Sequence, residues 1–295
     1  MSAEKFIRIY NANEEITQDF LDKYVKKGVD YFYVTDNDFD SFSKYYNDLI
    51  KQKLQKINVV EDKIDYQLQG FESIQDYVQN IGLDGNVIET MNIVTQSSIE
   101  VMKNNSDLFK LVEKMMHEEN YLSEHSIMIS YVAGALALEM EWVTSATLQK
   151  LATAAILHDT YLGDSKLARI SHKPEEEWGL ELRPDQIELI RRHPIAMADI
   201  IKKTKGIEPD VDVIIFNHHE TADGNGYPRN LDHHKIFPLA AFFIVSECFV
   251  NEIYGKKPSK QEVSQIITQI EAKFNKGNFK KASESLRKVF INPYR

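Results

Sequence analysis

The sequence predicts a mainly helical protein that begins with a small mixed α/β segment. Three observations carry that reading. Glycine (12) and proline (8) are scarce among 295 residues, which disfavours the many turns of an all-β chain. From about Phe71 onward the apolar residues recur at helical spacing, with no convincing strand. Only the first sixty or so residues contain short alternating runs rich in β-branched and aromatic side chains.

In chain order, Phe6-Ile7-Arg8-Ile9-Tyr10 alternates as a strand does. Ile16, Phe20, Leu21 and Tyr24 mark a helix closed by Gly28, and Val29 to Val34 is a second β-rich run. Asp38 to Gln55 has the spacing of another helix. Asp36, Asp38 and Asp40 resemble the start of a calcium loop, but Ser41 and Asn47 stand where that loop needs Gly and a bidentate Glu, so helix capping accounts for them. Residues 1–66 are thus expected to form a small α/β head. A helical connector over 67–118 leads to the main helical domain, 119–295. There the periodicity predicts helices near 119–142, 145–162, 185–203, 208–220, 236–254 and 259–274, with Pro194 starting a helix of its own.

Thirty-five Lys and Arg against 45 Asp and Glu give a net charge of −10. That balance opposes a grip on a nucleic-acid polymer, yet it permits a small anion in a local cationic pocket. Cys248 is the single cysteine, which excludes a disulfide framework or a Cys-rich zinc site and suits a reducing compartment. The N-terminus lacks an apolar secretory stretch. Ile236 to Val250, the most apolar run, is broken by Glu247 and falls short of the ~20 residues that span a bilayer. The expected setting is the cytoplasm, without membrane contact.

The nine histidines are the informative feature. His125 lies on one helical stripe with Ile129, Val132 and Leu136, and His158 follows Leu148, Leu151 and Ala155, with Asp159 beside it. His193 precedes Pro194, and His218-His219 follow Val211, Ile214 and Ile215. His117, His172, His233 and His234 read as ordinary hydrogen-bonded or loop residues. Glu247 shares a face with Ile236, Ala240, Phe243, Val250 and Tyr254, so a carboxylate occupies a core position. It must be protonated, paired or metal-bound, and no Lys or Arg lies within one turn of it. Buried imidazoles with carboxylates suit a divalent metal cluster, and the lack of thiolates disfavours structural zinc.

His158-Asp159 resembles the HD signature of metal-dependent phosphohydrolases. The run from His218 through Pro228, His-His-Glu-Thr-Ala-Asp-Gly-Asn-Gly-Tyr-Pro, resembles the HHExxDGxGYP element of the HD-GYP subgroup. His125-Ser126 resembles that subgroup's first-histidine motif and His193-Pro194 its HP step. The set runs in the family's order over residues 85–295. The resemblance implies a helical HD-type domain that binds two iron or manganese ions and hydrolyses cyclic di-GMP to linear pGpG, or on to GMP, through a hydroxide bridging the metals. It implies that His125, His158 and Asp159 hold one ion, that Asp159 bridges to a second held by His193, His218 and His219, and that His158 and Asp159 are catalytic. Glu247 takes the place of the family aspartate on the first ion.

The sequence also departs from the family. The lysine of the HDxGK motif is Leu162 here, with Lys166 one turn later as a substitute for substrate phosphate. Tyr121 stands beside the first histidine where some members carry a third-metal glutamate, which predicts two ions and makes Tyr121 a candidate substrate contact. Lys256 aligns with a family arginine, and Lys260 closes the same basic stretch. The loop containing Asp223, Gly224, Gly226, Tyr227 and Pro228 is associated in the family with binding partner proteins, often those that make cyclic di-GMP; a helix–helix turn explains the same residues. The expected function is a cyclic di-GMP phosphodiesterase. The rivals are a catalytically impaired cyclic di-GMP receptor and a phosphohydrolase of another nucleotide.

Overall fold

Thr17 opens the first helix, its hydroxyl accepting the Phe20 N–H at 3.3 Å, and among the described residues the regular elements that follow are helices. The computed structural model describes residues 9, 14, 16–29, 32–173, 177–179 and 182–291. The chain divides into two units, residues 1–49 and 50–295.

The first unit contains α1 (Gln18–Val25) and the start of α2 (Asp36–Lys56). The α/β character expected of the head is not upheld, because no strand occurs among the described residues. Val29 and residues 32–34 are coil. The Phe32 ring packs on Phe20 and Tyr24, at 6.2 and 5.7 Å between centroids, instead of joining a ladder. A β-rich run becomes a strand only where a neighbour pairs with its backbone, and local composition does not supply one. The other expected strand, 6–10, lies outside the described residues except for Ile9, which is coil.

The second unit continues with α3 (Val60–Asn80), α4 (Gly85–Lys103), α5 (Leu108–Lys114), α6 (Tyr121–Leu138), α7 (Ser145–Leu157), a 3₁₀ turn (Thr160–Leu162), α8 (Ser165–Ser171), α9 (Pro184–Lys203), α10 (Val211–Asn217), α11 (Pro238–Ile253), α12 (Lys260–Lys273) and α13 (Gly277–Ile291). Helix α6 is buried around nearly its whole circumference, as is α11; helices apolar on all sides belong at the centre of a bundle. They pack on each other, and α6 also packs on α3, α4 and α7. Local signals set the ends. Thr144 and Thr147 form a capping box before α7, Ser259 and Glu262 another before α12, and Asp164 caps α8.

Two departures from the expected boundaries bear on the site. The helix expected over 145–162 stops at Leu157 and gives way to the 3₁₀ turn, closed by Gly163 in the left-handed region (φ 63°). Pro194 starts no helix but lies inside α9. Buried Gln75 on α3 donates to the Ser126 hydroxyl at 2.9 Å and to the Ile156 carbonyl at 3.1 Å. It thereby holds α6 and α7 together beside His125 and His158. Among the described residues no helix is long and apolar enough to cross a membrane.

Candidate metal centre

Helix ends and one proline aim three imidazoles. Helix α7 terminates at Leu157, which leaves its last carbonyls without intrahelical partners; His158 Nδ1 donates to one of them, Ala155 O, at 2.8 Å. His218, just past α10, does the same to Ile215 O. His193 reaches the same geometry inside a helix. Pro194 has no N–H to give to the carbonyl four residues back, and His193 Nδ1 takes that carbonyl, Ile190 O, at 2.6 Å. In the neutral form of each ring the proton therefore sits on Nδ1, and Nε2 is the atom that can present a lone pair to the cluster.

Those lone pairs meet at close range. His193 Nε2 and His218 Nε2 are 3.1 Å apart, and with both Nδ1 atoms committed as donors, neither ring has a hydrogen left to bond the other. A shared cation satisfies both. Asp159, fully buried, turns Oδ1 toward His193 Nε2 (3.2 Å) and His218 Nε2 (3.6 Å). Its Oδ2 turns toward His158 Nε2 (3.4 Å) and His172 Nε2 (3.6 Å). Glu247, 3% exposed, brings Oε1 to 3.6 Å from His158 Nε2 and 3.7 Å from His172 Nδ1. Buried and without hydrogen-bond partners are both nitrogens of His125, Nε2 of His158, His172 and His219, both oxygens of Asp159 and Oε1 of Glu247. So many orphaned donor atoms facing one another are costly unless a cation joins them.

The donors fall into ligand-spaced sets: Asp159 with His193, His218 and His219; His125 with His158 and Glu247; His125 with Asp159 and His172. All seven residues expected as ligands are thus brought together. His172 joins them although its sequence context reads as ordinary. Its signal was its place just past the last turn of a helix, the same place that His158 and His218 occupy. His117, His233 and His234 stay apart, with His117 and His233 bonded to the backbone carbonyls of Lys114 and Ala222.

Residues 108–273, more than half of the chain, match the profile of the HD domain. This chain belongs to the HD domain family. A cyclic di-GMP phosphodiesterase of Pseudomonas aeruginosa, PA4108, is 27% identical over 183 residues, covering 60% of this chain and 41% of that protein. The chain therefore spans less than half the length of the curated relative it matches. Bd1817, an HDG"Y"P protein from Bdellovibrio bacteriovorus, shares the fold with a TM-score of 0.63 over 87% of this chain and 81% of its own, at 18% identity. The resemblance to the HD-GYP group read from the motifs is upheld. HD domains bind divalent metals, and the donor set here, imidazole and carboxylate without thiolate, fits them.

The HD domain's rim departs from expectation in its charges. Leu162, at the family lysine's position, is 4% exposed. Lys166 and Lys260 are exposed, and Lys256 reaches back to Glu252 at 3.2 Å; none of the three belongs to the cluster. The cation that does approach is Arg169, which the sequence did not single out. Its guanidinium lies 4.5 Å from the Tyr121 ring centre and 5.1 Å from that of Tyr254. Tyr121 in turn stacks on His125 at 4.8 Å and 16°. The loop after His219 also turns inward. The Tyr227 ring stacks on His219 at 4.5 Å and 19°, with buried Trp178 edge-on behind it. A Cβ on Gly226 would come within 2.3 Å of His219 O and 2.5 Å of Glu220 Cα, so the close packing of loop on histidine requires glycine there. Gly224 holds a left-handed turn (φ 82°), Asp223 accepts from Thr221 and Asn225, and Pro228 follows Tyr227 across a cis bond.

Burial sets the protonation of the cluster. It pushes His218 down to about 3 and His125 and His219 well below the ordinary histidine value, so all three offer free lone pairs at neutral pH. Burial also opposes the charge on His158, but the Asp159 carboxylate beside it prevails and raises it to about 9. The same pairing holds Asp159 well below the carboxylate range against its own burial. Glu247 is raised to about 7, chiefly by burial. A metal needs His158 neutral and Glu247 ionised. Cation uptake should therefore displace about two protons below pH 7, about one between 7 and 9, and none above 9. Affinity is expected to climb with pH up to about 9 and then level off. Calorimetric titration with Mn²⁺ in buffers of differing ionisation enthalpy measures the protons released, and a pH-independent affinity would overturn the assignment of these two groups.

Proposed function

We propose that this HD-domain protein is a metal-dependent phosphodiesterase whose substrate is cyclic di-GMP and whose product is linear pGpG. The observation that carries the reading is Asp159, whose two oxygens face two separate groups of imidazoles, the disposition a carboxylate needs to bridge a pair of ions. We infer two ions, iron or manganese, one with His125, His158, Asp159 and Glu247 and the other with Asp159, His193, His218 and His219. When bound, such a pair lowers the pKa of water and offsets charge on a phosphoryl group.

The chain's own residues divide the remaining work. Asp159 and Glu247 contribute two negative charges against the four of a divalent pair, so the floor of the site stays attractive to a phosphodiester on a protein whose net charge is −10. Apolar Phe243, edge-on to His158 at 5.6 Å, excludes water from the inner side. Arg169, held between two tyrosine rings, supplies the fixed cation for a substrate phosphate that neither Leu162 nor the exposed lysines supply. Tyr121 and Tyr254, both buried, keep that guanidinium in place through their ring faces. Asp223 and Asn225, exposed at the outside of the Gly-Tyr-Pro loop, are the part left to meet a partner such as a cyclic di-GMP-synthesising protein. The relative from Pseudomonas aeruginosa, named as a cyclic di-GMP phosphodiesterase, supports the choice of substrate.

A second reading has a specific observation behind it. Leu162 buries an apolar side chain where the family places a lysine, which removes a proton donor and favours a receptor that binds cyclic di-GMP without cleaving it. One experiment separates the two: anaerobically reconstituted protein incubated with cyclic di-GMP, cyclic di-AMP and a simple aryl phosphodiester, with products followed by chromatography. Appearance of pGpG, with kcat/KM highest for cyclic di-GMP, is the expected result. Tight binding without product establishes the receptor, and equal turnover of all three sinks the substrate assignment.

A further inference from the structure

We propose that His172 is a metal ligand, donating Nε2 to the ion position that His125, His158, Asp159 and Glu247 surround. The proposal rests on the two-ion reading above and adds a third imidazole to one of the two positions. His172 Nε2 is buried without a hydrogen-bond partner, 3.6 Å from Asp159 Oδ2. With His125 and Asp159 it forms a set of donor atoms at metal-ligand spacing. Two donors each about 2.1 Å from one ion lie roughly 3.0–3.6 Å apart for angles between 90° and 120°. Asp159 Oδ2 lies 3.4 Å from His158 Nε2 and 3.6 Å from His172 Nε2, and Glu247 Oε1 lies 3.6 Å from His158 Nε2, long for hydrogen bonds and right for ligands of one cation.

Position in the fold adds a further argument. His172 terminates α8 as His158 terminates α7 and His218 terminates α10. Three helix C-termini, each carrying partial negative charge, therefore converge on the cluster and favour a cation there. With His172 the position has three imidazoles and two carboxylates, a donor set that shifts preference from Mn²⁺ toward Fe²⁺, Co²⁺ or Zn²⁺.

The test uses the full chain, stripped of metal and reloaded with Zn²⁺, as wild type, His172→Ala and His172→Gln. Three quantities are read: ions bound per chain, the two affinities by competition with a chromophoric chelator, and imidazoles per zinc by X-ray absorption. Circular dichroism of the metal-free proteins checks the fold, and either variant that folds carries the test. Wild type is expected to bind two ions with about three imidazoles each. The variants should bind one ion unchanged and the other about 10–100-fold more weakly, with the mean imidazole count falling to about 2.5. Unchanged affinities and an unchanged imidazole count overturn the proposal. Weakened affinity at an unchanged imidazole count also overturns it, making His172 a positioning residue for Glu247. A wild-type protein that binds no zinc overturns the two-ion reading itself, which distinguishes that failure from this one.

Discussion

Asp159→Asn is expected to cost the protein at least one of its two ions and to lower phosphodiester hydrolysis by about 10³-fold. The substitution keeps the side chain's volume, so packing is spared, but one oxygen becomes an amide N–H₂ that repels a cation. Whichever way the amide turns, either the pair His193 and His218 or the pair His158 and His172 loses its carboxylate oxygen. The same change releases His158, whose elevated value of about 9 depends on that carboxylate. The variant's His158 should therefore titrate well below the wild type's in the metal-free protein, by NMR. Metal analysis of the purified variant decides the matter. A protein that still carries two ions would show that Asp159 is not shared between them.

Glu124→Ala should cause the largest loss of stability of any single change near the site, about 3–5 kcal/mol. Glu124 is 3% exposed, and its carboxylate accepts the backbone N–H groups of His117, Glu118, Glu119 and Asn120 at 2.9–3.1 Å. The Tyr254 hydroxyl donates to it as well, at 2.7 Å. Removing it strands those donors in the approach to α6 and unties that approach from the end of α11. Thermal unfolding of the metal-free protein should fall by about 10 °C, with Glu124→Gln intermediate because the amide keeps one accepting oxygen. An unchanged Tm for Glu124→Ala would mean that water replaces the carboxylate.

The parts of this site that rest on one element's own pattern were legible in the sequence. Glu247 stood out because a carboxylate on an apolar helical face violates the period, and it is buried among imidazoles. His125 and His158 lay on apolar stripes for the same reason. What depended on other elements was not legible. Helix α8 has seven residues, fewer than two full turns, too short for a stripe to mark His172 as inward. Arg169 reads as a surface cation because the rings of Tyr121 and Tyr254 that hold it come from two other helices. Pro194 reads as a helix start by its usual preference, whereas its missing N–H serves to free Ile190 O for His193. The run Val29 to Val34 has strand composition, but strand formation is decided by a pairing neighbour that composition does not reveal.

His125, His158-Asp159, His172, His193, His218-His219 and Glu247 come from six stretches of chain. A cation gripped by several of them is a reversible cross-link closing loops of tens of residues, the role disulfides play elsewhere and one that a chain with the single Cys248 cannot fill covalently. Unlike a disulfide, this staple is set by mass action: at 100 times the dissociation constant it adds about 2.7 kcal/mol per ion to the folded state. Metal supply then governs how long the chain survives proteases as well as whether it is competent for chemistry, and the two would rise and fall together.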